Sequence, residues 1–123
     1  VSKKNRLKNS ILVTGGPKFN SPKKNDIFQE YIKISNLIDA PIRKFGSAAL
    51  GMSYVAAGRF DAYWEWELNY WDVAAGIVIL KEAGGFIEFM EPGTINSIKR
   101  NVLATNSSIQ DELKAALVKK NIE

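Results

Sequence analysis

At 123 residues the chain fits one domain, and its 46% apolar content can close a core without a metal or disulfide staple. It contains no Cys and no His, which excludes a disulfide framework, a thiolate nucleophile, a Ser-His-Asp relay and a histidine-rich zinc site within these residues. The formal net charge of +4 owes much to Lys3, Lys4, Arg6, Lys8, Lys18, Lys23 and Lys24, which lack an interleaved aromatic platform and so read as solvated surface rather than a nucleic-acid footprint.

In chain order, Ser10 to Gly15 is a β-branched run ending in Gly15-Gly16-Pro17, a buried strand followed by a loop. From Asp26, a candidate cap, Ile27, Tyr31, Ile34 and Ile38 recur at the period of a half-buried helix that ends near Asp39, before Pro41. Ile42 to Phe45 is a short strand candidate, and Gly46 turns the chain into an alanine-rich helix over Ser47 to Gly58. Phe60 to Trp66 alternates, with Phe60, Ala62, Trp64 and Trp66 on one face and Asp61, Tyr63 and Glu65 on the other, so it reads as a strand with one polar face. Trp71 to Ala83 is a second largely apolar helix, and Gly84-Gly85 supplies its left-handed stop. Phe86 to Phe89 is extended, and Glu91-Pro92-Gly93-Thr94 suits a type II reversal. Val102 to Thr105 is a further strand. Ser107 then stands three residues before Gln110 in capping-box spacing, ahead of an amphipathic helix that Lys119 and Lys120 close. The alternation predicts one α/β domain over residues 1–123, with a mixed, mostly parallel sheet flanked by helices on both faces. Ligands of such sheets collect at the carboxyl ends of the strands.

No apolar run approaches the length that spans a bilayer, and the first residues lack a charged-then-apolar leader pattern, so a cytoplasmic location is expected. The chain opens on Val1 rather than Met, which suggests a processed product or the carboxyl-terminal part of something longer.

Two junctions carry candidate chemistry. In Gly46-Ser47-Ala48 the small residues permit close approach of a ligand to the backbone, and the first N–H groups of the following helix can meet an anion or a hydroxyl. Taken alone, Gly-Ser before a helix is equally an ordinary cap. At the second junction Glu65 closes a strand and Asp72 opens a helix, so the two carboxylates should share one crevice suited to a hard cation and substrate hydroxyls. Each also has an ordinary explanation: Asp72 suits a helix dipole, and Glu65 suits a solvated strand face. Glu67 competes for any role given to Glu65. Trp64, Trp66 and Trp71 read as core or interface.

The chain resembles the carboxyl-terminal half of the inositol monophosphatase family, of the bacterial type. The resemblance rests on Gly46-Ser47-Ala48-Ala49, on Val55-Ala56-Ala57-Gly58 followed by Asp61-Ala62-Tyr63, on Trp71-Asp72-Val73-Ala74-Ala75-Gly76 and on Glu82-Ala83-Gly84-Gly85; Leu12-Val13-Thr14-Gly15 with Pro17 matches an upstream strand. It implies a layered α/β sandwich similar to fructose bisphosphatase and Mg²⁺-dependent hydrolysis of a small phosphate monoester such as inositol 1-phosphate. By the resemblance, Asp72 is a metal ligand and substrate contact, Gly46, Ser47 and Ala48 line the substrate site, and Glu65 binds a polyol hydroxyl.

The family's metal site also uses an upstream Glu and an Asp-Pro-Ile/Leu-Asp-Gly-Thr loop, and this sequence contains neither that loop nor the residues that position the attacking water. No catalytic residue is therefore assigned here, and these residues alone are expected to be inactive. Asn69-Tyr70 stands where Arg-Pro or His-Cys is expected, which leaves the pocket shape open. The implied partners are a phosphorylated polyol or similar small molecule and a second copy in a homodimer, with no membrane. The same chemistry on histidinol phosphate, a sugar bisphosphate or a phosphoadenosine phosphate is an alternative. So is a non-catalytic module binding RNA, a protein or the transcription machinery.

Overall fold

The run Leu12–Thr14, β-branched at Val13 and Thr14, is buried at every position and forms strand β1, the Thr14 hydroxyl donating to the Trp64 carbonyl at 2.7 Å. The computed structural model describes residues 1–16, 21–90 and 99–117. Around β1 the chain places β2 (Arg43–Lys44), β3 (Ala62–Asn69), β4 (Phe86–Phe89) and β5 (Lys99–Thr105) in a five-stranded sheet of order β2-β1-β3-β5-β4. The sheet is mixed: β1 pairs in parallel with β2 and β3, and β5 pairs antiparallel with β3 and β4.

Helices cover both faces. On one face, α1 (Lys24–Ser35) and α4 (Gln110–Leu117) contribute Ile34, Leu113 and Leu117 to a cluster with Leu12, Trp64 and Leu103. On the other, α2 (Ala48–Ala56) and α3 (Tyr70–Glu82) pack Met52, Val55, Val73 and Leu80 against Val13 and Tyr63. Successive strand side chains point to opposite faces, so Tyr63 and Trp64 serve different cores.

The expected polar face of β3 is not solvated. Ala62, Tyr63, Trp64 and Glu65 are all buried, because α2 and α3 cover the face that alternation leaves polar. Asp61, just before the strand, is buried as well; it accepts from the Ile11 N–H at 2.7 Å and from the Ser2 hydroxyl, and lies 3.7 Å from the Lys4 ammonium. It therefore fastens the amino-terminal segment to the sheet.

Helix boundaries also shift. Helix α1 stops at Ser35, where Asn36 and Leu37 close it with N–H bonds to the last turn; Ile38 stays buried beyond the helix end. Asp26 sits in its first turn rather than at the cap. Ahead of α4 the side-chain oxygen that meets backbone N–H groups is that of Asn106, not Ser107: the Asn106 Oδ1 accepts from Ser108 (3.0 Å) and Ile109 (3.2 Å) in the turn before the helix. Ser107 adopts a φ of 81° and donates its hydroxyl to the Gly84 carbonyl at 3.0 Å. Gly84, at φ 89°, does end α3 in the left-handed region. The Glu91–Thr94 reversal, Lys119 and Lys120 lie outside the described residues. Among the described residues no helix is long and apolar enough to cross a membrane.

Candidate active site

Strands β1, β2 and β3 run parallel, so their carboxyl ends share one edge of the sheet. The chain leaves β1 for α1 on one face and leaves β2 for α2 on the other. Neighbouring connections that depart to opposite faces open a crevice between them, the usual ligand position in sheets of this kind. A cleft of about 680 Å³ lies at this edge.

The turn after β2 supplies Gly46, Ser47 and Ala48 to the wall of the cleft. Ser47 is the α2 N-cap, its Oγ accepting from the Leu50 N–H at 3.1 Å, which holds the first turn of α2 in place. A Cβ added at Gly46 would meet nothing within 4 Å, so this turn faces open space.

Strand β3 brings Glu65 in from the opposite wall. Its carboxylate is 7% exposed and accepts a short hydrogen bond from the Tyr63 hydroxyl, two residues earlier on the same face. Gly15, just past β1, borders the same carboxylate so closely that a Cβ there would fall 2.0 Å from Glu65 Cδ. Burial first, and the charge of Asp72 second, push the Tyr63 phenol above its ordinary range; at neutral pH it therefore stays a donor to Glu65.

Asp72 stands exposed in the first turn of α3, where the helix dipole favours a negative charge, and it lines the cleft beside Trp71. Between Glu65 and Asp72 the strand is irregular. Glu65 pairs with Val102 and Leu68 with Arg100, so two residues, Trp66 and Glu67, oppose the single Asn101. Glu67 takes a φ of 62° at this bulge, donates its N–H to Asn101 Oδ1 at 2.9 Å, and joins the cleft lining.

All five residues singled out in the sequence, Gly46, Ser47, Ala48, Glu65 and Asp72, thus border one cleft. Sequence reasoning did not assign Gly15 to it and placed Glu67 only as a rival to Glu65. The strand-then-Gly pattern at the end of β1 could have flagged Gly15; no sequence signal marks a glutamate for positive φ. Trp64 and Trp66 pack against the core, donating their indole N–H groups to Glu30, whereas Trp71 is 64% exposed. Glu65, Glu67 and Asp72 charge the lining negatively, and no Lys or Arg among the described residues belongs to it. For a divalent metal the donor set is partial: no group of three Asp, Glu, His or Cys among the described residues could hold an ion, and Asp72 offers one accessible hard oxygen ligand.

The inositol monophosphatase family model matches residues 1–123. The chain is 36% identical over 114 residues to an inositol-1-monophosphatase of Caulobacter vibrioides, covering 92% of this chain and 44% of that protein. It is 44% identical over 72 residues to a fructose-1,6-bisphosphatase/inositol-1-monophosphatase of Thermotoga maritima, covering 58% of this chain and 28% of that one. Among solved structures, the extragenic suppressor protein suhB of Bartonella henselae superposes with a TM-score of 0.84 at 41% identity, over 99% of this chain and 46% of that one. The chain therefore spans less than half the length of these relatives. With the fold, the cleft and these likenesses in agreement, the chain belongs to the inositol monophosphatase family.

Proposed function

We propose that these residues form the carboxyl-terminal, substrate-binding half of a Mg²⁺-dependent phosphomonoesterase acting on a small phosphorylated polyol such as inositol 1-phosphate. The observation that carries the proposal is the convergence of the Gly46-Ser47-Ala48 turn, Glu65 and Asp72 on one cleft at the carboxyl ends of three parallel strands. Names of relatives support the reaction class. In this reading the α2 turn presents backbone N–H groups to the ester, Glu65 accepts from a polyol hydroxyl, and Tyr63 and Gly15 keep the Glu65 carboxylate in place. Asp72 contributes one ligand to a metal site completed by residues outside this sequence. When bound, Mg²⁺ would offset the charge that develops on the phosphoryl oxygens.

The expectations of a homodimer and of the cytoplasm stay with this proposal. Substitution decides it in the protein encoded by the complete gene. Asp72→Asn should lower Mg²⁺-dependent phosphate release from inositol 1-phosphate by roughly a hundredfold or more, and Glu65→Gln should mainly raise KM, both with unchanged circular dichroism. Wild-type turnover in Asp72→Asn would overturn the assignment. Residues 1–123 alone should release no appreciable phosphate.

A further inference from the structure

We propose that Glu67 sets the substrate range of this cleft, favouring esters that carry a single phosphate and disfavouring those that carry a second. The inference rests on the phosphatase reading above. It starts from the backbone: Glu67 is one of two non-glycine residues at positive φ among those described, at 62°, where L side chains are strained and Gly is the residue with least cost. The conformation is pinned by the Glu67 N–H on Asn101 Oδ1 at 2.9 Å, and Asn101, itself 7% exposed, donates in turn to the Met90 carbonyl at 3.4 Å. At this bulge Glu67 joins the cleft lining, and its carboxylate forms no hydrogen bond or ion pair with another described residue. Among the described residues, then, its charge has no structural partner.

The surroundings determine what that charge does. Glu65 and Asp72 already make the lining negative, and among the described residues no Lys or Arg there offsets them. The ester phosphate that reacts has the α2 turn beside it and, on the proposed function, a metal ion. A second phosphate reaching the β3 bulge would have neither and would meet the half-buried Glu67 there. Rejecting a near-analogue by placing a like charge in its path is an effective form of discrimination. The Thermotoga relative bears both a bisphosphatase and a monophosphatase name, so these are the two classes to separate.

The test compares kcat/KM for inositol 1-phosphate and fructose 1,6-bisphosphate in the protein encoded by the complete gene, as wild type, Glu67→Gln and Glu67→Gly. Both variants should raise the bisphosphate-to-monophosphate ratio, on the order of tenfold at low ionic strength, and added salt should shrink the difference from wild type. Gln retains the side chain and Gly suits the backbone, so an equal shift in both reports charge alone. An unchanged ratio in both, or a shift confined to Glu67→Gly, overturns the inference and leaves the phosphatase reading intact. If the wild type releases phosphate from neither ester, the phosphatase reading falls and this inference with it.

Discussion

A carboxylate buried to 7% exposure must have its oxygens met, and Glu65 depends on neighbours that leave it little freedom. The Tyr63 hydroxyl donates to it, and the bare backbone of Gly15 makes room for it. Tyr63→Phe should therefore cost about 1–3 kcal/mol at neutral pH, read from urea denaturation. The phenol also brings a pH dependence of known sign. The folded state holds its proton more tightly than the unfolded chain, in which Tyr titrates near pH 10. The stabilisation is complete below about pH 10 and is lost as pH climbs toward the higher folded-state value. Wild type should lose stability above about pH 10 more steeply than Tyr63→Phe, and parallel pH profiles would contradict this account. At this scale the sequence was partly legible. Asp72 could be picked out because a helix start is readable from spacing, but Glu65 does not close its strand as expected: β3 bulges and runs on to Asn69. The strain at Glu67 could not be picked out, because its φ is imposed by pairing with β5, a contact between residues far apart in the chain.

Helices α2 and α3 are built to lie close together and close to the sheet. A Cβ at Gly76 would reach Met52 Sδ at 2.8 Å, and one at Gly51 would reach the Tyr63 ring at 2.8 Å. The Gly76 contact could be relieved by a flexible side chain. The Gly51 contact is with a buried ring already engaged to Glu65, so it cannot move without disturbing the cleft. Gly51→Ala should lower stability by about 1–3 kcal/mol despite the roughly 1 kcal/mol that alanine gains in helix propensity, and should displace Glu65. Thermal unfolding checks the first effect. A Gly51→Ala chain as stable as wild type would show that α2 can move freely away from the sheet. Helix existence was readable here from period and small-residue content, but not each boundary. The capping-box spacing pointed to Ser107, whereas the end of β5 sets Asn106 against the N–H groups just ahead of α4 and turns Ser107 toward Gly84.

At the scale of the whole molecule, the described surface carries more apolar side chains than a helix layer facing water needs. Along α3, Trp71, Val78 and Ile79 are 64%, 61% and 46% exposed, and Leu50 on α2 is 42% exposed. Such a surface is suited to burial against further protein, consistent with a chain that spans less than half of its relatives. Residues 1–123 expressed alone should therefore self-associate as concentration rises, and Val78→Asp should weaken the association. A strictly monomeric species in light scattering at high concentration would count against this. Of the basic amino-terminal residues, Lys3, Arg6 and Lys8 are exposed, while Lys4 is also exposed yet drawn toward Asp61.

Local order alone was enough to determine the alternation of strands and helices, the left-handed stop at Gly84, and the two junctions that bear Gly46-Ser47-Ala48 and Glu65 to Asp72. These depend on propensity, periodicity and capping, which act over a few residues. Tertiary structure decided which strands adjoin, that the polar side of β3 is covered, that Gly15 presses on Glu65, and that Glu67 enters the cleft. Those outcomes follow from pairing and packing between segments distant in the chain, where the energy of one residue depends on neighbours its own stretch of sequence does not name.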